Sequence, residues 1–354
     1  MRRTIYHECG GYKARLVDLL MPGYYANNVH LQTAINDSGQ LSLTIPPSNP
    51  EGVLLGAMAS ELVIYEDDAE LFRGRITAIN RDIYGFLSVT AKGVLDYLHD
   101  TILQPATYTG TSRKVINDLI YEHASKPIES WKKFTLGTIN VPGTITLEIK
   151  SPTTTWEAVK QLVEDYGGYI SARRIDGSNV IDWVEDITHV CSQPLRIGSN
   201  IISSTTELKT SNLCTVMYGF GKNNNGSALN FSSVNDGKKY IVDSDAYSAF
   251  GWIEGYYSNS NCEDASQLLE ETRRELNDRL EEVKTVTIKA SDLADLQDGA
   301  ERLQAGYLVP CKLSDSDAEQ NLRIKELDWY PFEPKKTSMS VGATLRTLSK
   351  MIGG

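Results

Sequence analysis

Two stretches near opposite ends of the chain run through the same order of local signals, and this echo constrains the fold more than any single motif. The first, SELVIYEDDAELFRGRITAINRDIYGFLSVTAKGVLDYL, covers residues 60–98. The second, GYLVPCKLSDSDAEQNLRIKELDWYPFEPKKTSMSVGATLRTL, covers residues 306–348. In each, a strand-like run reaches an acidic tip, a second run carries an Arg-Ile pair, and a turn containing aromatic residues follows. Each closes with SVTAKG or SMSVGA and a short amphipathic LDYL or LRTL. Strand-like runs separated by polar turn residues read as hairpins. The same hairpin order used twice in one polypeptide predicts two related β-barrels with other material inserted between them.

The inserted material changes period. TSRKVINDLIYEHAS sets Val115, Ile116, Leu119 and Ile120 on one helical stripe, opened by Thr111 or Ser112 as cap. SPTTTWEAVKQLVEDYGG does the same with Trp156, Val159, Leu162, Val163 and Tyr166, capped by Thr154 or Thr155 and stopped by Gly167-Gly168. YISARRIDGSNVIDWVE follows as two strands around Asp176-Gly177, a strong hairpin signal. Strands return at NIISSTTEL and NLCTVMYGFG. EDASQLLEETRRELNDRLEEVK is a helix with Ala265, Leu268, Leu269, Leu276, Leu280 and Val283 facing one way, and TVTIKA resumes the strands. The expected class is α+β and β-rich. Residues 1–98 form a first barrel, 99–198 an α/β middle domain, 199–238 with 285–354 a second barrel, and 239–284 a helix-containing insertion.

Clustered charge is where site chemistry could arise. YEDDAELFRGRITAIN gathers Glu66, Asp67, Asp68 and Glu70 beside Arg73 and Arg75. A turn tip offers no pocket to raise a carboxyl pKa, so this cluster reads as a solvated hairpin end. His7-Glu8 lacks the second histidine of a zinc-protease helix, because Gly11 stands there. His30, His99, His123 and His189 are dispersed, and His123 reads as a packed or solvated residue at a helix edge. GFGKNNNGS has Asn224 where a third glycine would stand, and no Ser or Thr follows Lys222, so it is a strand-connecting loop. SDSDAEQ and DSDAY lack the glycine and glutamate of a calcium loop. There is no G-x-S-x-G elbow. No catalytic, cofactor-binding or metal-binding residue is assigned, and no cofactor is expected.

The totals bound the partners. The chain has 354 residues and a formal charge of −11, which disfavours nonspecific attraction to nucleic acid or anionic membrane and suits a wall past which a polyanion slides. Five cysteines (Cys9, Cys191, Cys214, Cys262, Cys311) are scattered without a CxxC pair and read as reduced, mostly buried thiols of a protein made in a reducing cytoplasm. The start, MRRTIYHECG, shows no signal peptide, and no run approaches the length of a membrane span.

TWEAVKQLVEDYGGYISARRIDGSNVIDWV resembles the mid-region of bacteriophage tail-hub proteins. So does the bracket of SELVIYEDDAELFRGRITAIN and RIKELDWYPFEPKKTSMSVG around it. This family is often labelled prophage tail endopeptidase, minor structural protein or the N-terminal part of a tail-associated lysin. It is similar in organisation to the trimeric baseplate hub of contractile phages. The resemblance implies two tail-tube-like barrels per chain and a cup-shaped homotrimer at the virion tail tip or baseplate, where three chains supply six barrels. It implies as partners a distal tail or baseplate ring protein, the tail tube, the tape-measure protein, and a tail fibre, spike or lysin. DNA would cross the channel without sequence-specific binding during ejection. Some members carry lytic or receptor-binding extensions, whereas this sequence ends at LSKMIGG, so a non-enzymatic hub is the expectation. The alternatives are a tail-associated peptidoglycan hydrolase or endopeptidase, and a carbohydrate-binding adhesion module suggested by aromatic stretches such as YSAFGWIEGYY.

Overall fold

The computed structural model describes residues 2–208, 210–224, 226–282, 284–295, 299–312 and 319–342. The N-terminal part is all strand: β1 (Arg3–Cys9), β2 (Tyr12–Asp18), β3 (Asn27–Ala34), β4 (Gln40–Ile45), β5 (Glu61–Glu66), β6 (Ala69–Arg81) and β7 (Leu87–Gly93). Burial alternates along β4 and β7, as a sheet with one face on a core requires. The LDYL segment then forms a 3-10 turn at Val94–Asp100, which sends Leu95, Tyr97 and Leu98 into the core of the next unit.

That unit holds β8 (Ile102–Leu103), β9 (Ala106–Thr111), α1 (Ser112–Ser125), β10 (Phe134–Ile139), β11 (Thr144–Ile149), β12 (Thr153–Thr154), α2 (Thr155–Tyr166), β13 (Tyr169–Ile175) and β14 (Ser178–Val184). Thr111 and Thr154 are the helix caps, accepting from the backbone N–H of Lys114 and Glu157 at 3.3 and 3.1 Å. The apolar stripes of both helices close over a core centred on Leu119, Leu162, Ile181 and Trp183. The β13–β14 hairpin turns at Asp176-Gly177 with φ of 48° and 79°, the left-handed pair its sequence calls for. β14 lies between β13 and a parallel β10.

After β15 (Leu195–Arg196) and β16 (Ile201–Leu208), the chain builds a smaller unit. It contains β17 (Val216–Phe220), β18 (Asn223–Asn224), β19 (Ser227–Ala228), β20 (Tyr240–Val242), α3 (Ser244–Phe250), β21 (Glu254–Ser258) and α4 (Ala265–Glu282). Val216–Phe220 is a strand, but it pairs with β20 and β21 and not with the large sheet. The reason is packing: Leu268, Leu269, Leu276 and Leu280 of α4 need an apolar face, and Met217, Cys214 and Phe231 provide it. Val283 lies outside the described residues.

The chain returns as β22 (Lys284–Ala290), β23 (Leu308–Lys312), β24 (Gln320–Trp329) and β25 (Ser338–Gly342). These strands, β15, β16 and the first seven form one 13-stranded sheet among the described residues, with main path β16-β22-β25-β24-β3-β4-β7-β6-β5-β1-β2 and β15-β23 joined to β24. A single apolar core lines it, from Ile5 and Leu41 to Val286 and Val341.

The sheet is one pattern used twice. The strand order β3-β4-β7-β6-β5 recurs as β16-β22-β25-β24-β23. The registers superpose: Arg75 faces Lys92 as Arg323 faces Gly342, and Ile76 faces Ala91 as Ile324 faces Val341. A bulge follows both isoleucines, between Ile76 and Ala78 and between Ile324 and Glu326. The Ile76 amide donates to Ser60 O and its carbonyl accepts from Met58 N. Ile324 repeats this with Tyr307 O and Gly306 N. The repeats diverge at the flank, where β1 meets β5 antiparallel and β15 meets β23 parallel. The acidic tip at 314–318 and LRTL at 345–348 lie outside the described residues.

Candidate functional site

The two halves meet where β24 and β3 pair antiparallel: Glu326 with Ala34, Leu327 with Thr33, Asp328 with Gln32 and Trp329 with Leu31. Side chains seal this seam. His30 Nε2 lies 2.7 Å from Asp328 Oδ1, its ring stacks on Tyr330 at 4.5 Å, and the Gln32 amide donates to the Glu326 carboxylate. Residues almost three hundred positions apart are thus joined by backbone hydrogen bonds, and nothing local in either strand announces it.

A second connection lies at the other side of the curl. Arg3 of β1 and Arg302 stand over the Trp329 ring at 5.3 and 4.7 Å. Both reach Glu66, at 2.9 and 2.7 Å, and both reach Asp295. Arg302 also contacts Asp292, whose burial raises its carboxyl pKa. β1 and β5 are thereby clasped to β24, which closes the N-terminal half on itself.

The acidic cluster at 66–70 is therefore two things. Asp67 and Asp68 are exposed at the turn, as a solvated tip should be. Glu66 and Glu70 are not: Glu66 belongs to the clasp, and Glu70 pairs with Arg73. Arg73 also holds Glu8 and Glu61 at 2.7 and 2.9 Å. Burial would raise the Glu8 carboxyl, but Arg73 and Lys13 hold it below its usual value. Three carboxylates on one guanidinium border a cleft of about 700 Å³ with Tyr12, Tyr65 and Trp131. They are ion-paired groups, and Glu8, held as the anion, is poorly suited to general-acid work. Arg75 is 2% exposed and pairs with Asp96 and Asp100 at 2.8 and 2.5 Å.

The histidines serve packing and hydrogen bonding. His7 bridges Glu51 and Ser60, each at 2.7 Å. The order of groups is that of a hydrolytic relay, yet Ser60 is 1% exposed and its Oγ accepts the Gly56 amide, which leaves no approach for a substrate carbonyl. His123 is buried between Thr101 Oγ1 and the Lys132 carbonyl, and His189 pairs with Glu301. Four cysteines are buried and Cys9 is partly so. Among the described residues no three His, Cys, Asp or Glu side chains converge as a metal site, and no helix is long and apolar enough to cross a membrane.

Residues 191–352 match the prophage endopeptidase tail family. The fold as a whole is that of three solved tail proteins. Prophage tail protein gp18 from Listeria monocytogenes is 12% identical with a TM-score of 0.65, over 99% of this chain and 97% of that one. The 43 kDa tail protein of prophage MuSo2 from Shewanella oneidensis is 11% identical at 0.67, over 96% and 97%. A tail protein from Neisseria meningitidis is 13% identical at 0.64, over 97% of both chains. The family match covers a little under half of the chain, and the fold shared with the solved tail proteins covers nearly all of it. No curated protein sequence matches it. In this chain the family match starts at Cys191, so it takes in β15, β16, the small α/β unit and the C-terminal half of the sheet. The N-terminal half is tied to the same architecture by fold, across almost the full length of the three structures.

Proposed function

We propose that this protein is a phage tail protein and the hub of a tail tip: a non-enzymatic homotrimer whose six sheet halves form a collar continuing the tail tube. The observation that carries the reading is the duplicated half-sheet, with shared strand order, register and bulge, joined edge to edge within one chain. Three such chains present six near-equivalent halves, which is how a trimer can match a sixfold neighbour. In this division β1–β7, and β15 and β16 with β22–β25, are the tube-like units. The unit of β8–β14 and the smaller unit from β17 to α4 stand outside the collar and take partner contacts. The tail tube and a distal ring protein lie on one side, with the end of the tape measure. A fibre, spike or lysin lies on the other. The protein is made in the host cytoplasm and works at the virion tail tip during attachment and DNA ejection, with DNA passing through unread.

The test is mass in solution. Light scattering on the purified chain is expected to give three times 39.3 kDa. A monomer at high concentration overturns the proposal. A cell-wall zymogram is expected to stay uncleared, and a clearing band would make the hydrolase reading the better one.

A further inference from the structure

The duplication leaves one seam used and one unused. Each half offers an acceptor, the strand segment after the bulge, and a donor strand at its outer edge. In the C-terminal half the acceptor is Glu326–Trp329 of β24, and it is occupied by the donor β3. In the N-terminal half the matching acceptor is Ala78–Arg81 of β6, which pairs with β7 on one side. Its pairing with β5 ends at Arg75, and among the described residues no strand covers its other side beyond that point. The donor matching β3 is β16, which pairs with β22 and ends the sheet. Its exposed residues include Ile202 at 53% and Ser203, Ser204, Thr205 and Glu207. A β-branched strand bare on its edge invites another strand.

We infer that the Thr206–Leu208 end of β16 in one copy pairs antiparallel with Ile79–Arg81 of β6 in the next copy, repeating between chains the β3–β24 seam found within one. β16 does not fill the open acceptor of its own chain, since β22, β25, β24, β3, β4 and β7 lie between it and β6. The partner is therefore a second copy of this chain. The register follows from the repeat. Gln32 faces Gln40 on β4 as Glu207 faces Thr285 on β22, and β4 and β22 sit alike on β7 and β25. Glu207 therefore takes the place of Gln32. Asn80 takes the place of Asp328, two residues beyond the post-bulge Ala78 as Asp328 is beyond Glu326. Asn80 and Glu207 face each other in this arrangement, with Arg81 alongside. Amide and carboxylate meet again as they do around Gln32, with the roles exchanged between the strands. Both Asn80 and Arg81 are exposed. The contact is head-to-tail, so it repeats until the ring closes.

This deepens the hub reading and rests on it, and disulfide trapping separates the two. In a Cys9→Ser background, Asn80→Cys protein is mixed with Glu207→Cys protein under mild oxidation. A facing antiparallel pair has Cα atoms about 4.5–5.5 Å apart, inside the range a disulfide spans. A covalent dimer is expected only in the mixture, and the double variant is expected to yield a covalent trimer. Gln32→Cys with Asp328→Cys is the control, closing within one chain, and Asn80→Cys with Ser203→Cys is the off-register pair. A trimer by light scattering in which the control forms but the 80–207 link does not, or in which the off-register pair forms better, overturns the seam and leaves the hub standing. A monomer overturns both.

Discussion

β6 and β24 are the same strand built twice, and they differ in what their arginines grip. Arg75 is fully enclosed, lies 5.4 Å from the Tyr97 ring centre, and holds Asp96 and Asp100, where the chain enters the middle domain. Arg323 stands at the same register and holds Asp186 with the carbonyls of Ile187 and Gly306, beside the chain's exit from that domain. Its Asp186 partner is half exposed, with a side-chain accessibility of 51%. One register position thus does the same job in two media, and the dielectric around it sets how much each contact contributes.

The largest effect should come from the enclosed member. Arg75→Ala leaves Asp96 without its cation and Asp100 with Lys132 alone, and is expected to cost about 3–5 kcal/mol by urea unfolding. Arg302→Ala opens the clasp, leaving Asp292 and Asp295 buried, and should cost about 2–4 kcal/mol in the same assay. Arg323→Ala, at the open copy of the site, should cost only about 1–2 kcal/mol. Equal losses for Arg75→Ala and Arg323→Ala would erase the contrast between the halves. A pH dependence is expected in the cleft between α2 and α4. Burial, then Glu271, push the Asp165 carboxyl from 3.8 up to about 6, against the hydrogen bond from Gln161 and with a smaller push from Glu164. The folded protein therefore holds this proton more tightly than the unfolded chain. The contribution is fully present below pH 3.8 and is lost as pH rises through about 6. Asp165→Asn should match the parent below that window and exceed it above, read as the difference in unfolding midpoints.

Much of this was legible in local pattern. The caps at Thr111 and Thr154, the stripe of α4 and the turn at Asp176-Gly177 each rest on neighbours within a few residues. The echo of 60–98 in 306–348 also survived, because Arg-Ile and the bulge after it fall at one register in both halves. Pairings across long separations were not legible. The seam partners Gln32 and Asp328 carry no mark of each other, since a strand edge is written in backbone groups that every residue has. Arg73 and Arg75 looked like part of a wet tip because their partners Glu8, Asp96 and Asp100 lie elsewhere in the sequence. Val216–Phe220 was readable as a strand but not as a member of the smaller sheet. That choice depends on the apolar face of α4, some fifty residues on.

The two arginines have a mechanical consequence. An appendage hung from a single strap can swivel about it. The middle domain is pinned at both its entry and its exit, each pin set on the same wall, so a sideways pull on it is passed to the wall as a couple. Whatever tugs on that domain will tilt the wall it is fastened to.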